Sequence, residues 1–162
     1  MVNELNKNKY LEEIINKYSD MVYRLALSRT RSKENSDDVF QEVFFRLSKK
    51  IPSFKNEEHK KAWLIKVTIN CSKNIINKRA NKDEVEIKDD IKFEIKEHHD
   101  IYYAVQSLPL NYRTIIYLYY YEGYKIKEIS KLLKMKENTV KTNLARARQR
   151  LKLDMEGEIE NE

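Results

Sequence analysis

The chain has 162 residues and a net charge of +6, with one tryptophan, two glycines, two prolines and one cysteine. That length allows one medium or two small domains, and the scarcity of glycine and proline beside abundant Lys, Glu, Ile and Leu favours an all-α fold whose two small cores would each be marginal. The lone Cys71 excludes an intrachain disulfide, the start Met1-Val2-Asn3-Glu4 lacks an apolar signal region, and the longest apolar run, Ile115 to Tyr121, is too short for a bilayer, so a cytosolic protein with an ordinary buried thiol is expected.

The first predicted helix covers roughly Tyr10 to Arg29, with Leu11, Ile14, Ile15, Tyr18, Val22 and Leu25 on its core side. A second starts near Asn35, a residue type that caps helices, with Asp37 and Asp38 in the first turn favouring the dipole; Val39, Val43 and Leu47 share one face. Pro52 ends this helix or follows its end. After the loop Ser53 to Lys60, a third helix is predicted from about Lys61 to Arg79, with Leu64, Val67, Cys71 and Ile75 on its apolar side. Its other side carries Lys66, Asn70, Lys73 and Asn77 at the i, i+4, i+7, i+11 spacing of a polar stripe, close to Trp63. Such a stripe is what any solvated helix face looks like.

Between Asn81 and Asp100 lies an acidic run with scattered apolar residues and no clean period, which reads as a linker, flexible in isolation. The pair His98-His99 has no cysteine or spaced partner, so no metal site is expected there. A second domain begins near Ile101. Pro109 suits the first turn of a helix that ends near Glu122-Gly123, with Tyr112, Ile115, Ile116 and Tyr119 toward the core.

From Tyr121 to Leu151 two short amphipathic helices meet across a tight turn. In the second, Val140, Leu144, Ala147 and Leu151 form the buried stripe, which turns Asn138, Thr142, Ala145 and Gln149 outward, with Lys141 and Arg146 flanking them. Small and polar groups in the middle approach base edges while long cations at the sides reach phosphates, the division of labour of a recognition helix in a major groove. A solvated face on a three-helix bundle would carry lysines too. Charge segregation separates these readings: residues 1–80 carry +7, residues 81–107 carry −4, residues 108–153 carry +8 and the tail from Asp154 carries −5. Two basic blocks divided by an acidic one fit two nucleic-acid-binding modules on a solvated linker.

Two segments together resemble the extracytoplasmic-function (ECF, group IV) bacterial RNA polymerase sigma factors. The first is Asp37-Asp38-Val39-Phe40-Gln41-Glu42-Val43-Phe44-Phe45-Arg46-Leu47, followed by Ala62-Trp63-Leu64-Ile65 and Asn70. The second is Leu108-Pro109 with Tyr112-Arg113, then Tyr121-Glu122-Gly123, Glu128-Ile129, Thr139-Val140-Lys141 and Ala145-Arg146-Ala147-Arg148. Helix-turn-helix patterns of the second kind also end many response regulators, so the specificity lies in the co-occurrence of the two segments in this order.

The resemblance implies two helical domains, sigma region 2 over residues 1–80 and sigma region 4 over 101–153, joined by the acidic linker 81–100 and followed by an acidic tail, 154–162. It implies a non-enzymatic factor that binds core RNA polymerase through Asp38, Gln41, Glu42 and Phe45 on the clamp helices of the largest subunit. Phe54, Lys66, Asn70, Lys73 and Asn77 would then serve the minus-10 element, where relatives hold an unstacked base, with Lys78 and Arg79 adding charge. Asn138, Lys141, Thr142, Ala145, Arg146 and Gln149 would serve the minus-35 element. In relatives the linker threads toward the RNA exit path, and many relatives are restrained by an anti-sigma factor, so promoter DNA, polymerase and an anti-sigma factor are the expected partners. No metal, cofactor or small-molecule substrate is expected. Phe54 is equally readable as a loop anchor, and the linker as a plain solubilising segment.

Departures from the family pattern are local. Lys125 and Lys136 stand where capping Ser is common and Lys134 where Gly is common, each forfeiting up to about 1 kcal/mol while adding charge near DNA. Glu137 would favour the helix dipole but repel a nearby phosphate, and Ala145 offers only a methyl contact. The competing functions are a stand-alone helix-turn-helix regulator, which leaves the Gln41-Glu42 face without purpose, and a tyrosine recombinase or nuclease, which lacks the supporting Arg and His arrangement.

Overall fold

A computed structural model describes residues 3–80 and 104–160, with side chains described to Lys152; they form two units, and the described residues contain helices and no strand. In the first unit, α1 (Glu4–Thr30), α2 (Lys33–Lys49) and α3 (Glu57–Ala80) pack pairwise as a three-helix bundle. Val22, Leu25, Val39, Val43, Leu47, Leu64 and Ile65 are all fully buried between them, each such aliphatic side chain contributing roughly 1.5–3 kcal/mol. No helix among the described residues is long and apolar enough to cross a membrane.

The helix starts differ from expectation for identifiable reasons. α1 begins at Glu4, before Tyr10, because Asn3 caps it, its side chain accepting from the Leu5 amide. It ends where Arg31 turns left-handed (φ 52°), and this sends the chain into Ser32, which caps α2 by accepting from the Asn35 amide at 3.2 Å. Asn35, the expected cap, instead lies buried within the first turn, with no partner for its Oδ1 among the described residues. α3 also starts early, at Glu57, because Asn56 accepts from the His59 amide at 2.8 Å while His59 Nδ1 accepts from the Lys55 amide at 3.1 Å, a reciprocal cap.

The buried arc of α3 is wider than the single expected stripe. Leu64 and Cys71 are buried, Val67 and Ile75 only half-buried, and Ile65, Thr68, Ile69 and Ser72 complete the arc, since α3 packs on both α1 and α2. Leu11 and Ile15 on α1 are likewise half-buried. Polar groups on α3 within this core are paired: Thr68 donates to the Leu64 carbonyl at 2.7 Å, and Arg29 Nε donates to Ser72 Oγ. Burial lowers the Arg29 pKa to about 10, which still leaves it charged at neutral pH. Burial pushes the Cys71 thiol up, as expected of an inert core cysteine.

The second unit holds α4 (Leu110–Ile116), which runs on into a π-helical turn (Tyr117–Tyr121), then α5 (Ile126–Leu133) and α6 (Glu137–Glu160). Pro109 lies one position outside the first turn of α4, as its cap residue. Arg113 is buried and donates from Nη1 to the Leu108 carbonyl, closing the approach to the helix. The π-helical turn ends at Gly123 (φ +70°), where the Tyr124 amide reaches back to the Leu118 carbonyl at 3.0 Å. Ile115 and Ile116 are buried as expected, but Tyr112 and Tyr119 are only half-buried: Arg150 stands over the Tyr112 ring at 5.3 Å and Arg148 over the Tyr119 ring at 5.2 Å. Tyr117 and Leu118 take the core seats. The linker, the His98-His99 pair and the expected domain start near Ile101 lie outside the described residues.

Candidate functional site

With Val39, Val43 and Leu47 fully buried, α2 turns Asp38, Gln41 and Phe45 outward, with Glu42 half-buried at the margin. Phe45 is 55 % exposed, a large apolar surface with no core role. Arg46 pairs with Glu42 at 2.8 Å and Lys49 Nζ stands 5.0 Å from the Phe45 ring centroid, so cations border the acidic face. Both cations were readable at i+4 from the predicted residues.

On α3, Lys66, Asn70, Lys73 and Asn77 are all exposed along one stripe, with Lys78 exposed and Arg79 half-buried beyond. Phe54 sits in the loop before α3, half-buried, its ring meeting Trp63 at 5.8 Å and His59 at 5.7 Å, both edge to face. It is therefore an anchor of its loop, whatever else it touches. Sequence reasoning missed the ionic node beside it. Glu57 accepts from Lys60 at 2.7 Å, from the Tyr18 hydroxyl at 2.7 Å and from Lys17 at 3.2 Å, which holds its carboxyl down at about 2.

The turn between α5 and α6 is built from Lys134, left-handed at φ 53°, with Ser130 Oγ donating to the Met135 carbonyl at 2.6 Å and the Met135 amide returning to the Ser130 carbonyl at 3.0 Å. Lys125 offers α5 no side-chain cap; Glu128 accepts from the Lys125 amide at 2.8 Å instead. On α6, Asn138, Lys141, Thr142, Ala145, Arg146 and Gln149 are all exposed, above buried Val140, Leu144 and Ala147; Leu151 is half-buried. Thr142 Oγ1 donates to the Asn138 carbonyl at 2.9 Å, so its hydroxyl faces outward as an acceptor. The pair Arg148 and Tyr120 was not foreseen, although an arginine about three turns into a helix that follows a tyrosine run was its signal.

A three-helix bundle with polar stripes on two helices, and a helix-turn-helix with a cationic outer face, define a two-part sigma-type transcription factor. The Sigma-70 region 2 family model matches residues 14–82 and the Sigma-70, region 4 model matches residues 98–151. The ECF RNA polymerase sigma factor SigM of Bacillus subtilis is 35% identical over 156 residues, covering 88% of this chain and 93% of the relative. RNA polymerase sigma factor SigV of the same organism is 29% identical over 141 residues, covering 82% and 83%. Among solved structures, sigma factor RpoE from Bartonella quintana, in complex with the anti-sigma factor NepR, is similar at TM-score 0.70 and 18% identity, covering 91% of this chain and 98% of that one. CnrH, in complex with the cytosolic domain of CnrY, is similar at TM-score 0.67 and 18% identity, covering 93% and 90%. The chain belongs to the ECF RNA polymerase sigma factors: it is an alternative sigma factor that binds core RNA polymerase and directs promoter-specific initiation at minus-10 and minus-35 elements. The stand-alone regulator is not favoured.

Proposed function

We propose that the three outward faces divide the work of initiation. Residues 1–80 act as the polymerase and minus-10 module: Asp38, Gln41, Glu42 and Phe45 meet the clamp helices of the largest subunit, while Phe54, Lys66, Asn70, Lys73 and Asn77 hold the melted minus-10 strand. Residues 101–153 act as the minus-35 module through Asn138, Lys141, Thr142, Ala145, Arg146 and Gln149, and the acidic segment 81–100 joins the two. The carrying observation is the α6 face, where all six residues are exposed over three buried apolar ones. A helix face with small and polar groups along its middle and cations beside them suits a major-groove reader.

In this reading the chain performs no chemistry of its own and works in the cytosol beside the polymerase. An anti-sigma factor would restrain it by covering these same faces; the similar sigma factor RpoE is known in complex with the anti-sigma factor NepR. The first experiment mixes the full chain with bacterial core RNA polymerase and follows co-elution, for the wild type and for Gln41→Ala with Glu42→Lys. Loss of co-elution in the double variant is expected. Co-elution unchanged by the double variant would remove the α2 assignment.

A further inference from the structure

Lys60, in the first turn of α3, is only 8 % exposed as a residue, unusual for a lysine. Its Nζ bonds Glu57 Oε1 at 2.7 Å and stands 5.0 Å from the Tyr10 ring centroid and 6.0 Å from that of Phe54. The other oxygen of Glu57 takes Tyr18 and Lys17 of α1. Two side chains thus fasten α1, the start of α3 and the loop residue Phe54 to one another. A cavity of about 230 Å³ remains between α1 and this cluster, so direction here comes from charge and ring contacts rather than from close apolar filling.

We propose that Lys60 is a positioning residue for minus-10 recognition: its ammonium, anchored by Glu57, sets the orientation of the Phe54 ring and thereby the shape of loop 53–56 that receives the extruded base. This rests on the assignment of Phe54 and Asn70 to that base. A cation is drawn to the ring face, while Trp63 and His59 meet the same ring edge to face, so Phe54 is held from more than one side. An aliphatic side chain of equal length would fill the space without selecting a ring orientation. Ordering the loop in advance spares the cost of ordering it when the strand arrives. The bond to Glu57 keeps the Lys60 pKa above its ordinary value, so the cation persists across the working pH range.

The test uses holoenzyme assembled from core polymerase and the full chain, on a promoter carrying 2-aminopurine at successive minus-10 positions. Lys60→Met should lower the unstacking signal and run-off transcript about tenfold while leaving co-elution with core and the minus-35 duplex contact unchanged, and Lys60→Arg should recover most of the loss. Glu57→Gln, which keeps the ammonium but frees it, should show the same defect in weaker form, and it carries the test if Lys60→Met does not fold. Wild-type unstacking in both variants, or a Lys60→Arg as defective as Lys60→Met, overturns the proposal. Phe54→Ala and Asn70→Ala separate the two levels: defects there with a normal Lys60→Met reject Lys60 alone, and no defect in either rejects the minus-10 assignment and this inference with it.

Discussion

Arg148 donates from Nε to the hydroxyl of Tyr120, and its guanidinium stands over the Tyr119 and Tyr120 rings at 5.2 and 5.5 Å, tying the π-helical turn to the long α6. Tyr120 is 55 % exposed, so water readily replaces the hydrogen bond, while the guanidinium–ring contact is lost only when the ring itself is removed. Tyr120→Phe should therefore cost no more than about 0.5 kcal/mol, and Tyr120→Ala or Arg148→Ala about 1 kcal/mol, in urea unfolding of the chain. Equal losses for Phe and Ala would assign the coupling to the hydroxyl.

Lys134 holds φ 53° and ψ 44°, a region in which a side chain costs about 1 kcal/mol relative to glycine, and Lys136 precedes α6 without a capping oxygen. Lys134→Gly and Lys136→Ser should each raise stability by about 0.5–1 kcal/mol, seen as a higher thermal midpoint. Each also removes a cation beside the proposed DNA face, so duplex affinity should fall as stability rises. A lower midpoint for Lys134→Gly would mean that the lysine side chain makes a contact worth more than its backbone strain.

What was legible in the chain was whatever repeats at a helical period. The outward positions of α2, α3 and α6 are exposed because buried residues beneath them, Val39, Val43 and Leu47 on α2, Leu64 and Cys71 on α3, and Val140, Leu144 and Ala147 on α6, fix the rotation of each helix. Cap choice was not legible in the same way. Ser32 and Asn35 are both capping types, and the left-handed Arg31 together with the hydroxyl pair Thr30 and Ser36, 2.9 Å apart, decides for Ser32. The node at Glu57 joins residues about forty positions apart, beyond any local pattern. The π-helical turn was hidden as well, since Tyr117-Leu118-Tyr119-Tyr120-Tyr121 has the same apolar character at either helical period and only the Gly123 stop was visible.

Phe45 offers the sharpest separation of stability from association. It is over half exposed and its ring meets the exposed Lys49 ammonium at 5.0 Å, so Phe45→Ala should change unfolding free energy by less than about 0.5 kcal/mol. A buried aromatic anchor in an interface costs about 2 kcal/mol or more on truncation, which would weaken co-elution with core polymerase at least about thirtyfold. A large stability loss with unchanged association would place Phe45 in the fold instead of the interface.

Glu57 gives a pH signature. Hydrogen bonds from Lys60, Tyr18 and Lys17 depress its carboxyl from 4.5 to about 2, so its contribution is complete above the unfolded value and is lost as pH falls toward the folded one. Lys60 is shifted upward and stays charged through that range, so it adds no acid dependence of its own. The stability difference between wild type and Glu57→Gln should be flat from pH 8 to about 5 and shrink steadily below, measured by denaturant unfolding at fixed ionic strength. A difference that grows in acid would show that the carboxyl is not held by these donors.

Cations and small groups on α6 should fail in different ways. If Lys141 and Arg146 meet phosphates, Lys141→Gln and Arg146→Gln should each weaken holoenzyme binding on every promoter alike and lower the slope of log affinity against log salt by about 1. Thr142 is different because its proton is committed to the Asn138 carbonyl, leaving lone pairs that suit an exocyclic amino group and a methyl that suits thymine. Thr142→Val keeps the shape and removes the lone pairs. It should cost about 1 kcal/mol or more at one base pair of the minus-35 element and leave the salt slope unchanged, read by comparing promoters substituted at single positions. A uniform loss across promoters would instead make Thr142 a backbone contact and shift sequence reading to Asn138 and Gln149.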